Sequence, residues 1–129
     1  AWVLGSDTTV ALNERVFGKP DSREEAIATL TLLSANTHQV ISSISLAHSD
    51  HSITPLTSSV ISQVRFGALS EKQISAYCDT DEPYDKAGAY GIQGLAGSFV
   101  EHIDGDYSAI MGLPLWATGQ MLRSVGLLE

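Results

Sequence analysis

The sequence is poor in cysteine, in cations and in long apolar runs, and each shortage argues against a class of protein. With Cys78 as the single cysteine, no disulfide can close within the chain, and no Cys/His cluster has the spacing of a zinc site. That usage predicts a reducing, cytoplasmic compartment. Only 7 Lys and Arg stand against 15 Asp and Glu, for a formal charge of -8, and the cations form no cluster. Such a balance argues against electrostatic binding to a nucleic acid polymer or an anionic membrane surface. No stretch approaches the ~18 uncharged residues of a membrane-spanning helix. Ala1–Leu4 is too short for a secretion signal and lacks its basic flank, so the chain reads as soluble.

What is present suits one folded domain. A chain of 129 residues, 43% hydrophobic and 17% charged, can bury a single core. It shows no internal repeat, low-complexity tract or linker. If the ligand is a small phosphate compound, the few cations must gather at one site or a divalent metal must help.

Ala1-Trp2-Val3-Leu4 is an apolar run ending in Gly5-Ser6-Asp7, the pattern of a buried strand that delivers polar residues at its C-terminal end. A core strand that begins at residue 1 lacks the usual lead-in, so the chain is expected to be truncated at its N-terminus. Beyond Gly18-Lys19-Pro20, Asp21 or Ser22 can cap a helix to about Leu33, with Ala26, Leu30 and Leu33 on one face. Thr37–Leu46 and Thr57–Phe66 alternate as strands and predict a long antiparallel pair joined by a polar surface turn. Ser70 and Gln73 form a capping box for a short helix through about Cys78. Phe99–Ile103 reads as a strand, and Pro114 fits the first turn of a last helix ending near Val125. The fold class is therefore α/β with a partly antiparallel sheet.

Three constellations could carry chemistry: Gly5-Ser6-Asp7-Thr8, Gly18-Lys19-Pro20, and the run from Glu82 to Gly94 that contains Asp85-Lys86-Ala87-Gly88. Glycine lets backbone N–H groups approach a ligand, lysine supplies charge for phosphate oxygens, and a carboxylate binds a metal or accepts a proton from water. Each has a plainer reading as well. Asp7 suits a turn or cap, the lysines suit solvated charges, and the glycines match neither a Walker loop nor a dinucleotide fingerprint. His38, His48, His51 and His102 are too scattered for a metal site. Cys78 reads as a small buried residue, and Trp2, Met111 and Trp116 as core.

The strings VLGSDTTV (3–10), GKP (18–20), LSANTHQV (33–40), EPYDKAGAYGIQG (82–94) and GLPL (112–115) together resemble the Maf family of septum-formation inhibitor-like proteins. The resemblance covers the whole chain, in order. It implies a Maf/ITPase-like elongated mixed sheet with flanking helices and a cleft between two lobes. It also implies a cytoplasmic nucleoside triphosphate pyrophosphatase that uses a divalent metal cation, Mg²⁺ or Mn²⁺, often as a homodimer. On the family pattern Asp7 is the catalytic base, and Ser6, Lys19 and Lys86 lie on the substrate, with Lys19 and Lys86 suited to its phosphates. Asp7, Glu82 and Asp85 are the residues able to hold the metal. Thr8 and Gln93 match the branch that acts on dTTP and UTP, because the 7-methyl-GTP branch typically carries Gln, Cys and Glu at the positions of Thr8, Lys86 and Gln93. Tyr84 and Tyr90 suit either base packing or the core.

Two other readings stand beside this one. The chain could be a non-catalytic nucleotide-binding or division-regulatory protein, or an enzyme of the 7-methyl-GTP branch. Family members also carry a Ser-Pro-Arg-Arg-type phosphate-binding segment ahead of the matched region. The expectation is thus a single Maf-like domain over 1–129, N-terminally truncated and weak in hydrolysis by itself, with Arg15 as a further cation for the phosphates.

Overall fold

Long alternating segments build the centre of the molecule, which the computed structural model describes throughout, Ala1–Glu129. Strands β3 (Thr37–His48) and β4 (Leu56–Phe66) pair antiparallel, in register from Thr37 opposite Arg65 to Leu46 opposite Leu56. Their connection, 49–55, is exposed. Strand β1 (Trp2–Leu12) runs antiparallel along the other side of β3. The short β2 (Arg15–Phe17) pairs with β1 at Val10–Leu12 alone, and β5 (Val100–Asp104) closes the far edge against β4. The order is β2-β1-β3-β4-β5.

The α/β class holds, while every strand pair is antiparallel, so the sheet is uniform where a mixed one was expected. The first strand also differs from its expected form. It does not end at Gly5 but continues through Asp7 to Leu12, and Val3 and Leu4 are exposed. From Trp2 to Thr9, β1 pairs with β3 alone.

One face of the sheet is covered and the other is open. In β3 the even residues His38, Val40, Ser42, Ile44 and Leu46 are buried, whereas Gln39, Ile41, Ser43 and Ser45 are only partly covered or exposed. Helix α1 (Arg23–Leu33) is capped by the Ser22 hydroxyl, which accepts from Glu25 N at 3.1 Å, and it buries Ala26, Leu30 and Leu33. Helix α2 (Glu71–Cys78) begins with the capping box of Ser70 and Gln73 and buries Ile74, Tyr77 and Cys78. Cys78 is the small buried residue expected, and burial pushes its thiol pKa up. Three short 3-10 turns follow at Glu82–Asp85, Ala87–Ala89 and Leu95–Phe99. Helices α3 (Tyr107–Met111) and α4 (Leu115–Ser124) complete the cover.

The covered face holds two apolar clusters. The larger joins Val10, Val40, Val64 and Phe66 to α1, α2 and the segment Ala89–Phe99. A smaller one gathers Ile44, Leu46 and Met121 under α4. Between them the sheet presents small hydroxyl residues, Ser42 and Ser62, both fully buried. Ser42 Oγ donates to Ala109 O, and Ser62 Oγ accepts from Asp106 N at 3.0 Å, so α3 is seated on the sheet by polar contacts. Trp116 and Met111 stay on the surface, 74% and 41% exposed, and Trp2 is half-buried. All three were expected in the core. The sequence neighbours of Trp116 that face inward are Thr118, Gly119 and Met121, one helical face away from it.

Gly88 decides how the chain between α2 and β5 docks. Its φ of +74° lies in the left-handed region, and an added Cβ would stand 2.8 Å from a Val10 methyl. Gly88→Ala should therefore lower stability by about 1–3 kcal/mol, through backbone strain and overlap together. Urea denaturation of both proteins measures it, and an unchanged midpoint would show that the close approach is not constraining.

Candidate active site

Pleating determines what β1 contributes. Ser6, Thr8 and Val10 point to the covered face. Val10 enters the core, while Ser6 and Thr8 meet the polar seat of α3. Ser6 Oγ donates to Gly112 O at 2.5 Å, and Thr8 Oγ1 lies 3.4 Å from Ser42 Oγ. Asp7 is one residue out of phase and borders the same cleft where β1 pairs with β3 alone.

The opposite wall comes from the glycine-rich segment. Gly88 N donates to Gly18 O at 3.2 Å, which ties the Gly18-Lys19-Pro20 turn to the turn that follows Lys86. Two lysines far apart in sequence thus border one space. A cleft of about 340 Å³ is lined by Ser6, Asp7, Thr8, Lys19, Asp85, Lys86 and Gln93, with Val10, Val40, Tyr90, Ile92 and Ile110 as its apolar floor. The size falls within the ~300–1,000 Å³ of small-molecule sites. Seven of the eight residues singled out from the sequence meet there.

Electrostatics within the cleft are uneven. Lys86 Nζ lies 3.1 Å from Asp85 Oδ1. The Lys86 ammonium, by hydrogen bond and by charge, holds the Asp85 carboxyl below the usual carboxylate range, with a smaller contribution from Lys19. Lys19 makes no ion pair, so it is the cleft cation without a carboxylate of its own. Arg15 is outside the cleft, its guanidinium 5.2 Å from the Phe17 ring centroid.

Glu82 does not line the cleft. Its carboxylate accepts from the Tyr77 hydroxyl, from Leu95 N at 3.0 Å and from Ala96 N at 3.3 Å. No three His, Cys, Asp or Glu side chains come together in a metal-binding group anywhere in the chain. Asp7 and Asp85 are the two carboxylates at the cleft. Mg²⁺ or Mn²⁺ held there would need phosphate oxygens and water to supply the rest of its shell.

Of the tyrosines, Tyr84 donates its hydroxyl to Cys78 O, away from the cleft, whereas Tyr90 forms part of the cleft floor. Tyr90 Oη lies 2.6 Å from Nε2 of His38, which is itself 1% exposed and packed edge-on to Phe66. That pairing was not anticipated. The signal lay in the alternation of β3, since His38 is in phase with the buried Val40 and Ser42.

Known proteins place the chain. A family model described as Maf-like protein matches residues 1–125. The chain belongs to the Maf family. This Maf chain is similar to the dTTP/UTP pyrophosphatase of Bordetella avium, at 49% identity over 97% of the chain and 61% of that protein. Similar proteins of the same name occur in Colwellia psychrerythraea, at 50% identity over 98% of the chain and 58% of the relative, and in Xanthomonas campestris pv. campestris, at 50% over 98% and 65%. The Maf chain thus spans 58–65% of the length of these relatives. No helix is long and apolar enough to cross a membrane.

Burial lowers the His38 pKa to about 4, against an ordinary value near 6.5. The folded state therefore holds the ring neutral while the unfolded chain binds a proton below pH ~6.5. The stability linked to His38 is full above that pH and is lost as pH falls from ~6.5 through about 4, on the order of 3 kcal/mol in all. Urea midpoints across this range should fall more steeply for the unmutated chain than for His38→Gln. Parallel curves would remove His38 as the source.

Proposed function

We propose that this Maf chain carries the base-recognition wall and most of the hydrolytic groups of a nucleoside triphosphate pyrophosphatase acting on dTTP and UTP. The observation that carries the reading is the meeting of Ser6, Asp7, Thr8, Lys19, Asp85, Lys86 and Gln93 in one cleft, drawn from three separated segments. The similar proteins named dTTP/UTP pyrophosphatases add the substrate class.

The reaction joins a water oxygen to the α-phosphorus and breaks the bond to the oxygen bridging the α- and β-phosphates. Pyrophosphate leaves, and the nucleoside monophosphate remains. The Asp7 carboxylate accepts the proton of the attacking water. Lys19, free of ion pairing, and Lys86 bind phosphate oxygens that gain charge as the bridge breaks. Asp7 and Asp85 are the residues that would hold a divalent cation, which would supply further positive charge.

Recognition of the base falls to Gln93, an exposed side chain on the cleft wall. Its amide offers one acceptor and two donors, which complements the N–H and carbonyl groups on the imide edge of thymine and uracil. The Thr8 hydroxyl, beside Ser42, adds a second polar contact from the sheet side.

In a version of the chain extended with a family-type N-terminal segment, with Mg²⁺ or Mn²⁺ and dTTP or UTP, Asp7→Asn should lower pyrophosphate release at least ~10²-fold while leaving the fold intact. Turnover within a few-fold of the unmutated extended chain would reject Asp7 as the base. In the same assay, Gln93→Glu should weaken dTTP and UTP hydrolysis relative to 7-methyl-GTP, because a carboxylate cannot donate to a pyrimidine carbonyl. A constant substrate ratio would take Gln93 out of base selection.

A further inference from the structure

Glu82 stands outside the cleft, yet its hydrogen bonds converge on the loop that carries Gln93. One carboxylate oxygen, Oε1, accepts from Leu95 N at 3.0 Å; the other accepts from Ala96 N at 3.3 Å and from the Tyr77 hydroxyl. The Tyr77 oxygen in turn accepts from Gly91 N at 3.2 Å. Gly91 and Leu95 bracket Gln93 two residues to either side, so both ends of the loop are held by one carboxylate, directly on one side and through a phenol on the other. Gly94 N closes the loop with a bond to Gly91 O at 3.1 Å. A Cβ on Gly94 would overlap Glu82 Oε1, so the carboxylate occupies the space that glycine leaves at the turn.

We infer that Glu82 is the positioning residue for base recognition, acting through the loop 91–96 to set where the Gln93 amide meets the nucleobase; this rests on the pyrophosphatase reading above. A carboxylate suits the task better than an amide, because all three groups that reach it are donors. Glutamine at this position would turn an N–H₂ group towards at least one of them and leave that donor without an acceptor. Tyr77 belongs to the same device. It is a buried member of the larger core cluster and edge-on to Phe99, with its ring centroid 5.1 Å from that of Phe99. The loop is therefore anchored to the core and not merely to another surface turn.

On the reading above Gln93 meets the base and not the reacting phosphorus, which gives the test its form. Loss of a contact to the base removes binding that is equal in ground and transition states, which raises KM and leaves kcat in place. A variant that only unfolded a fraction of the molecules would lower apparent kcat at constant KM. For Glu82→Gln in the whole chain, with dTTP, UTP and GTP and saturating Mg²⁺, KM for the two pyrimidine nucleotides should rise about tenfold. Turnover should stay within about threefold, and the preference over GTP should shrink. Tyr77→Phe should move the same quantities less, since it cuts only the arm to Gly91.

Hydrogen exchange supplies the second readout. The amides of Gly91, Leu95 and Ala96 should exchange faster in Glu82→Gln, while those of β3 and β4 exchange as before. Unchanged KM values, or loop amides as protected as in the unmutated chain, would overturn the assignment. If neither the unmutated chain nor a version extended with a family-type N-terminal segment hydrolyses any nucleotide, the pyrophosphatase reading fails and with it the link to base recognition. Exchange then still decides whether Glu82 holds the loop.

Discussion

The close approach of Gly88 to Val10 is the contact on which the site depends. Val10 belongs to the strand that also carries Ser6, Asp7 and Thr8, and Gly88 follows Lys86 by two residues. With a φ of +74° and no side chain, Gly88 lets the turn rest on the valine methyls and lets its N–H reach Gly18 O. Three segments remote in sequence are fixed against one another by that packing. The cleft cations are placed by apolar contact and backbone hydrogen bonds, which act at any ionic strength, and the charges are left for a ligand.

A second constraint shapes the cleft from the sheet side. The covered face is apolar at both ends, under α1 and α2 and under α4. In between, Thr8, Ser42 and Ser62 interrupt the apolar rows, and α3 is held there by hydroxyl contacts to Ala109 O and Asp106 N. Hydroxyls in the middle of a covered face must be paired when buried. Ser42 and Ser62 are satisfied by α3, whereas Ser6 and Thr8 lie where the cover gives out and line the open space. The polar seam thus lies between the two apolar clusters, and Thr8 carries it to the edge of the cleft beside Ser6.

Much of this was legible in the sequence, and the failures share a cause. Capping signals at Ser22 and Ser70 and the alternation of β3 and β4 placed those elements within a residue or two, because each rests on short-range chemistry. Trp116, Met111 and the start of β1 were misjudged, since burial depends on which face a neighbouring element covers, and hydrophobicity alone does not report that. Glu82 shows the same limit from the polar side. Its motif made it a metal candidate, but its partners, Tyr77 and the amides of Leu95 and Ala96, are set by how the chain folds back after α2. His38 was visible as an in-phase residue of a buried strand, while its bond to Tyr90 spans 52 positions and has no local signature.

The charge distribution brings fold and chemistry together. A chain with a net charge of -8 repels a polyphosphate at long range, so recognition must be local. Of the two cleft lysines, Lys86 is already shared with Asp85, and the carboxylate is correspondingly held in its charged form. Lys19 alone offers an uncompensated charge. Two cations and two carboxylates around one cleft nearly cancel, which leaves little attraction for a bare triphosphate. On the proposed reading, a divalent cation arriving with the triphosphate would turn Asp7 and Asp85 from a source of repulsion into ligands.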